Sequence, residues 1–142
     1  MPKTERNIII NAPPEKCYQV IADIDRYPEF VTETKGVKII KRESKDKVQA
    51  EFTVKVIKEV SYTLNLWGVP GKSWQWTLVK GFMKKNDGAW FLKDLGKGRT
   101  EATYAVDVEF GMLVPSSIVK MLQENQLPKM LETFKKRIES LK

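Results

Sequence analysis

Between Gly36 and Phe110 apolar residues recur at every second position, and this run constrains the fold more than any other feature. Val48, Ala50, Phe52, Val54 and Val56 alternate with Gln49, Glu51, Thr53 and Lys55. Val60, Tyr62, Leu64 and Leu66 alternate with Ser61, Thr63 and Asn65. Trp74, Trp76 and Leu78 continue the pattern from Ser73 to Gly81, then Trp90 and Leu92, then Thr100, Ala102, Tyr104, Val106, Val108 and Phe110. A period of two describes β-strands with one apolar and one wet face. The connections read as turns. Val69-Pro70-Gly71-Lys72 places Pro and Gly at the central positions of a type II turn, and Asn86-Asp87-Gly88 and Gly96-Lys97-Gly98 carry turn residues too. Short turns between successive strands give an antiparallel meander whose apolar face needs a cover.

The cover is at the end of the chain, where the period changes. Leu127, Met130, Leu131, Phe134, Ile138 and Leu141 fall within a stripe of roughly 100° on a helical wheel. Lys129, Glu132, Lys135, Lys136, Arg137 and Glu139 occupy the rest of that surface. Pro115 suits a first helical turn, where its missing N–H has no partner to lose. Ile118, Met121 and Leu122 point roughly 150° away from the later stripe, and Pro128 lies at the changeover. One helix broken or bent near Leu127, burying different faces in its two halves, accounts for this. Met112, Met121 and Met130 fit core filling, or the wall of an adaptable apolar pocket.

Before the meander, Arg6 to Asn11 reads as a first strand through Ile8, Ile9 and Ile10. Ala12-Pro13-Pro14-Glu15 opens a helix with Cys17, Val20, Ile21 and Ile24 as its apolar stripe. Asp25 is placed to cap a second short helix from Arg26 to Phe30, which Pro28 keeps short. The sum is one α+β domain spanning 1–142: a strand, two short helices, about six further strands and a long final helix.

Composition narrows the chemistry. The net charge is +7 and histidine is absent, which removes the commonest general base and neutral metal ligand. The lone cysteine, Cys17, allows no internal disulfide or Cys-rich zinc site, and reads as a small buried residue. No cofactor or metal is expected. No apolar run approaches the ~20 residues of a membrane span, and Met1 to Asn11 lacks a signal-peptide core, so the expected compartment is cytoplasmic.

Several phrases resemble the START-like (SRPBCC) superfamily. They are Ile10-Asn11-Ala12-Pro13-Pro14-Glu15-Lys16, Val20-Ile21-Ala22-Asp23, Arg26-Tyr27-Pro28-Glu29-Phe30, Gly88-Ala89-Trp90, Gly98-Arg99-Thr100, and Gly111 to Pro115 followed by Leu127-Pro128. More narrowly, the chain is similar to the polyketide cyclase/dehydrase and lipid-transport branch, which includes coenzyme Q-binding proteins and the ribosome-association toxin. The resemblance implies a helix-grip fold, in which a curved antiparallel sheet of about seven strands grips the C-terminal helix around an elongated apolar cavity. It also implies a hydrophobic ligand such as a lipid, quinone, sterol or polyketide; only some members are enzymes.

Tyr62, Trp74, Trp76, Trp90 and Tyr104 share the predicted concave face, as pocket wall or as core beneath the helix. Leu64, Leu66, Leu92, Val106, Met130 and Phe134 complete the candidate cavity, with the Tyr62 and Tyr104 hydroxyls to orient a polar end. Asp94, Asp107 and Glu109 read as solvated carboxylates, so no catalytic residue is assigned. Lys35, Lys38, Lys41, Arg42, Lys45 and Lys47, with Lys55 and Lys58, form a basic stretch suited to peripheral contact with anionic membrane. Contact with nucleic acid or ribosome ranks lower, because few aromatics interleave with these cations. The leading expectation is a non-catalytic carrier of a hydrophobic molecule. A polyketide cyclase, aromatase or dehydratase in the same cavity is the alternative, and a ribosome- or RNA-binding protein the second.

Overall fold

A computed structural model describes residues 3–55, 59–111, 114–121 and 127–141. The strands are β1 (Lys3–Ile10), β2 (Thr34–Ser44), β3 (Lys47–Lys55), β4 (Glu59–Val69), β5 (Ser73–Gly81), β6 (Met83–Gly96) and β7 (Arg99–Phe110). They form one seven-stranded antiparallel sheet in the order β1-β7-β6-β5-β4-β3-β2. The helices are α1 (Pro14–Ala22), α2 (Tyr27–Phe30), α3 (Ser116–Met121) and α4 (Leu127–Ser140), with a 3-10 turn at Ile24–Arg26 before α2. This is the α+β helix-grip arrangement, with α4 covering the apolar sheet face.

The core follows the two periodicities. From α4, Leu127, Leu131, Phe134 and Ile138 are buried, and Met130 packs half-buried beside them. Leu141, expected in this stripe, lies beyond the helix end and is 39% exposed. The same core takes in Val48, Ala50, Phe52, Leu64, Leu66, Trp74, Trp76 and Trp90, all from alternate strand positions. Pro128 is the second residue of α4. Ile118 and Met121 of α3 are half-buried. Val56, Lys58, Met112 and Leu122 of the sequence reading lie outside the described residues.

Two expectations are corrected. Asn86-Asp87-Gly88 is not a turn: it lies inside β6, which runs unbroken from Met83 to Gly96 while the chain reverses at Phe82. Gly88 is there for space, since a Cβ would collide with the Trp76 ring and come within 2.9 Å of the Ala105 carbonyl. Asp25 caps no helix; it lies inside the 3-10 turn and its carboxylate pairs with Arg42 at 3.0 Å. The turn at Pro70-Gly71 forms as read, with Gly71 at φ 75° and Lys72 N–H donating to Val69 C=O at 2.9 Å.

Both sheet edges are managed. β1 is covered by α4: the Lys135 ammonium donates to Ile9 C=O at 2.6 Å and to Glu139 Oε2 at 2.7 Å. The same carboxylate oxygen accepts the Asn11 N–H at 2.8 Å. β2, the opposite edge, is studded with lysine and broken by three register shifts, which makes it a poor template for another strand.

Candidate functional site

Between the sheet and α4 lies a cavity of about 120 Å³. The sheet supplies Tyr62, Leu64, Leu66, Trp74, Trp76, Trp90 and Tyr104; α4 supplies Met130 and Phe134. Leu92 and Val106 pack half-buried on the core without lining the hollow. Five further wall residues escaped the sequence reading: Tyr27, Val31, Thr34, Phe52 and Asn86. Tyr27 and Val31 come from α2 and its C-terminal end, so this short helix closes one side.

The rings hold one another in place. Phe134 lies 5.3 Å from Trp90 and 5.3 Å from Tyr27, centroid to centroid. Trp90 meets Tyr104 edge-on at 5.0 Å, and Phe52 stacks on Tyr62 at 5.5 Å with an interplanar angle of 13°. Such pairs add about 0.5–1.5 kcal/mol each beyond area burial. They give the hollow rigid aromatic walls with one adaptable residue, Met130.

The polar atoms fall into two groups. Tyr27 donates its hydroxyl to Ile21 C=O, and the Trp76 indole N–H donates to Asn86 Oδ1 at 3.0 Å. The hydroxyls of the half-buried Tyr62 and Tyr104 make no hydrogen bond among the described residues, and Trp74 Nε1 is buried without a partner there. Burial raises the Tyr62 phenol to about 12 and also raises Tyr104 and Tyr27. All are neutral at physiological pH, so the site presents dipoles and no charge.

The carboxylates considered for catalysis are elsewhere. Asp94 closes the β6–β7 turn by accepting the Gly96 N–H at 2.8 Å, Asp107 pairs with Lys85 at 2.8 Å, and Glu109 stands opposite Lys85 in the ladder. None lines the cavity. Burial pushes the Cys17 thiol up, and its Sγ lies 3.8 Å from Ala12 C=O, as befits a core residue. The basic stretch is divided: Arg42 is held by Asp25, Lys47 sits 3.6 Å from Glu43, and Lys35, Lys38, Lys41 and Lys45 are exposed. Among the described residues no helix is long and apolar enough to cross a membrane.

Residues 10–135 match the family described as polyketide cyclase / dehydrase and lipid transport. The chain belongs to that family. The matched residues of this polyketide cyclase / dehydrase and lipid transport domain include the phrases read at Ile10 to Lys16 and around Trp90. The chain is 24% identical over 110 residues to the ribosome association toxin RatA of Vibrio cholerae, covering 78% of this chain and 76% of that one. A START superfamily protein from Mycobacterium smegmatis superposes with a TM-score of 0.86 at 20% identity, over 99% of both chains. The Zhui aromatase/cyclase from Streptomyces sp. R1128 superposes at 0.82 with 18% identity, over 97% of this chain and 93% of that one. These likenesses establish the START-like fold.

Proposed function

We propose that the protein binds a hydrophobic small molecule, of lipid, quinone or polyketide type, in the hollow between sheet and α4, without catalysing a reaction on it. One observation carries this reading: an aromatic-walled cavity lined by the Tyr62 and Tyr104 phenols and by Trp74, whose buried indole N–H has no partner among the described residues. Buried donors are costly to leave unpaired, at about 1–3 kcal/mol each, and a guest with an acceptor oxygen relieves that cost. A hollow of about 120 Å³ suits a single ring, since a cavity of ~150 Å³ takes up benzene. A longer guest extends only if side chains such as Met130 give way. Affinity then comes from removing the guest's apolar surface from water.

The fold shared with an aromatase/cyclase supports a second reading, in which the same walls fold a reactive chain and rate comes from positioning. Organic extraction of freshly purified protein followed by mass spectrometry separates the two. The carrier reading expects an intact, stoichiometric hydrophobic molecule. Turnover of a polyketide-like chain by protein that releases nothing on extraction favours the enzyme.

A further inference from the structure

The sheet has a second, outward face, and register assembles there a set of residues that sequence order keeps apart. Lys41 stands opposite Gln49, Gln49 opposite Asn65, and Asn65 opposite Thr77. In the next row Lys47 stands opposite Trp67 and Trp67 opposite Gln75; in a third, Val69 faces Ser73 and Ser73 faces Phe91. All alternate with Trp74, Trp76 and Trp90, so they look away from the cavity. A groove of about 610 Å³ runs over this surface, lined by Lys41, Lys47, Gln49, Asn65 and the half-buried Trp67, and by Glu43, whose carboxylate lies 3.6 Å from the Lys47 ammonium. Beside it Phe91 is 47% exposed and Val69 50%.

The chemistry selects one class of occupant. Gln49 Nε2 donates to Asn65 Oδ1 at 3.0 Å. Among the described residues the Gln49 carbonyl and the Asn65 amide N–H groups make no other hydrogen bond, so one acceptor and one donor remain for a base edge. Trp67 and Phe91 offer two ring faces within a strand or two of each other, as stacking platforms do on other sheet surfaces. Lys38, Lys41, Lys47, Lys80 and Lys93 surround them, offset in part by Glu43, Glu51 and Glu101. Asp87, Asp107 and Glu109, with Lys85 paired to Asp107 at 2.8 Å, leave the remaining part of the face acidic on balance and confine the path to β2–β5 and Phe91.

We propose that this outer face binds single-stranded nucleic acid, with bases stacked on Trp67 and Phe91, a base edge read by Gln49 and Asn65, and phosphates held by Lys41 and Lys47. The site is independent of the cavity. Fluorescence anisotropy of the full chain with end-labelled RNA of about 12 nucleotides, across about 50–200 mM salt, tests it. Single strands are expected to bind more tightly than the matching duplex. Trp67→Ala is expected to weaken binding about 5- to 150-fold while Trp67→Phe keeps most of it. Lys41→Gln and Lys47→Gln each lower the slope of log affinity on log salt by about 0.7. Circular dichroism checks the fold, and Phe91→Ala, at an exposed position, reports on the second platform if Trp67→Ala unfolds. Equal affinity for duplex, full binding by Phe91→Ala and Trp67→Ala, or binding to phosphatidylglycerol vesicles with none to RNA overturns the proposal.

Discussion

The indole N–H of Trp76 donates to the side-chain carbonyl of Asn86 at 3.0 Å, inside the hollow between sheet and α4. Both residues are buried. Replacing Asn86 with Leu keeps the bulk and removes the acceptor, leaving a buried donor unpaired. Urea unfolding of Asn86→Leu is expected to show a loss of about 1–3 kcal/mol with an unchanged denaturant slope. An unchanged midpoint would mean that the bond contributes nothing to folding.

Tyr62 and Tyr104 behave in the opposite way. Both line the hollow and their hydroxyls make no hydrogen bond among the described residues, so Tyr62→Phe and Tyr104→Phe remove no bond seen in the fold. Stability is expected to stay within about 0.5 kcal/mol of the parent. Affinity for a quinone or similar acceptor-bearing guest is expected to fall about fivefold per substitution. A large loss of stability would place hidden partners on these phenols.

High pH exposes the same burial. Burial raises Tyr62 to about 12 and shifts Tyr27 and Tyr104 upward too, whereas an unfolded tyrosine titrates near 10. The folded chain therefore keeps protons that the unfolded chain has lost. The stabilisation is complete below about pH 10 and falls away above it, by about 1.4 kcal/mol per pH unit per ring. Phenolate absorbance of these rings is expected to rise together with loss of near-ultraviolet circular dichroism. Phenolate formation at all three near pH 10 in a chain that is still folded would show the rings open to water.

Glu139 fastens α4 to β1. Its carboxyl is held below the usual range chiefly by the Lys135 ammonium, then by the Asn11 N–H. A lowered value means stabilisation that is present above the unfolded carboxylate range and lost as acid protonates the group. Glu139→Gln is expected to cost about 0.5–1 kcal/mol at neutral pH, an amount kept modest by partial exposure. The gap between the two proteins closes in paired thermal melts as the pH falls below the usual carboxylate range. A gap that persists in acid would point to packing instead of charge.

How far the sequence could be read follows from what each residue does. Alternation located Trp74, Trp76, Trp90 and Tyr104 on one face because that face is buried and its reverse is wet. It failed at Asn86-Asp87-Gly88, since the residue types that build turns also serve as a buried acceptor and a gap for a neighbouring ring. Tyr27 and Phe52 escaped as wall residues because their reach depends on where α2 and β3 come to rest. The volume of the hollow is a small remainder between large packed volumes, which no pattern of residue types encodes. Trp67 beside Lys47 was invisible for another reason: the basic stretch carries few aromatics along the chain, and only hairpin register brings the indole to it.

The pairing of β1 with β7 sets Ile8 against Ala102 and Ile10 against Thr100, and Thr100 Oγ1 also donates to Ala12 C=O at 2.7 Å. Strand β1 therefore leaves the ribosome well before β7 and waits for it to find its neighbour. Until then Ile8 and Ile10 have no strand to shield them, and helix α1 has only part of its bed. Assembly is a late, whole-chain event during synthesis, and a nascent chain halted before Arg99 remains unable to close its sheet.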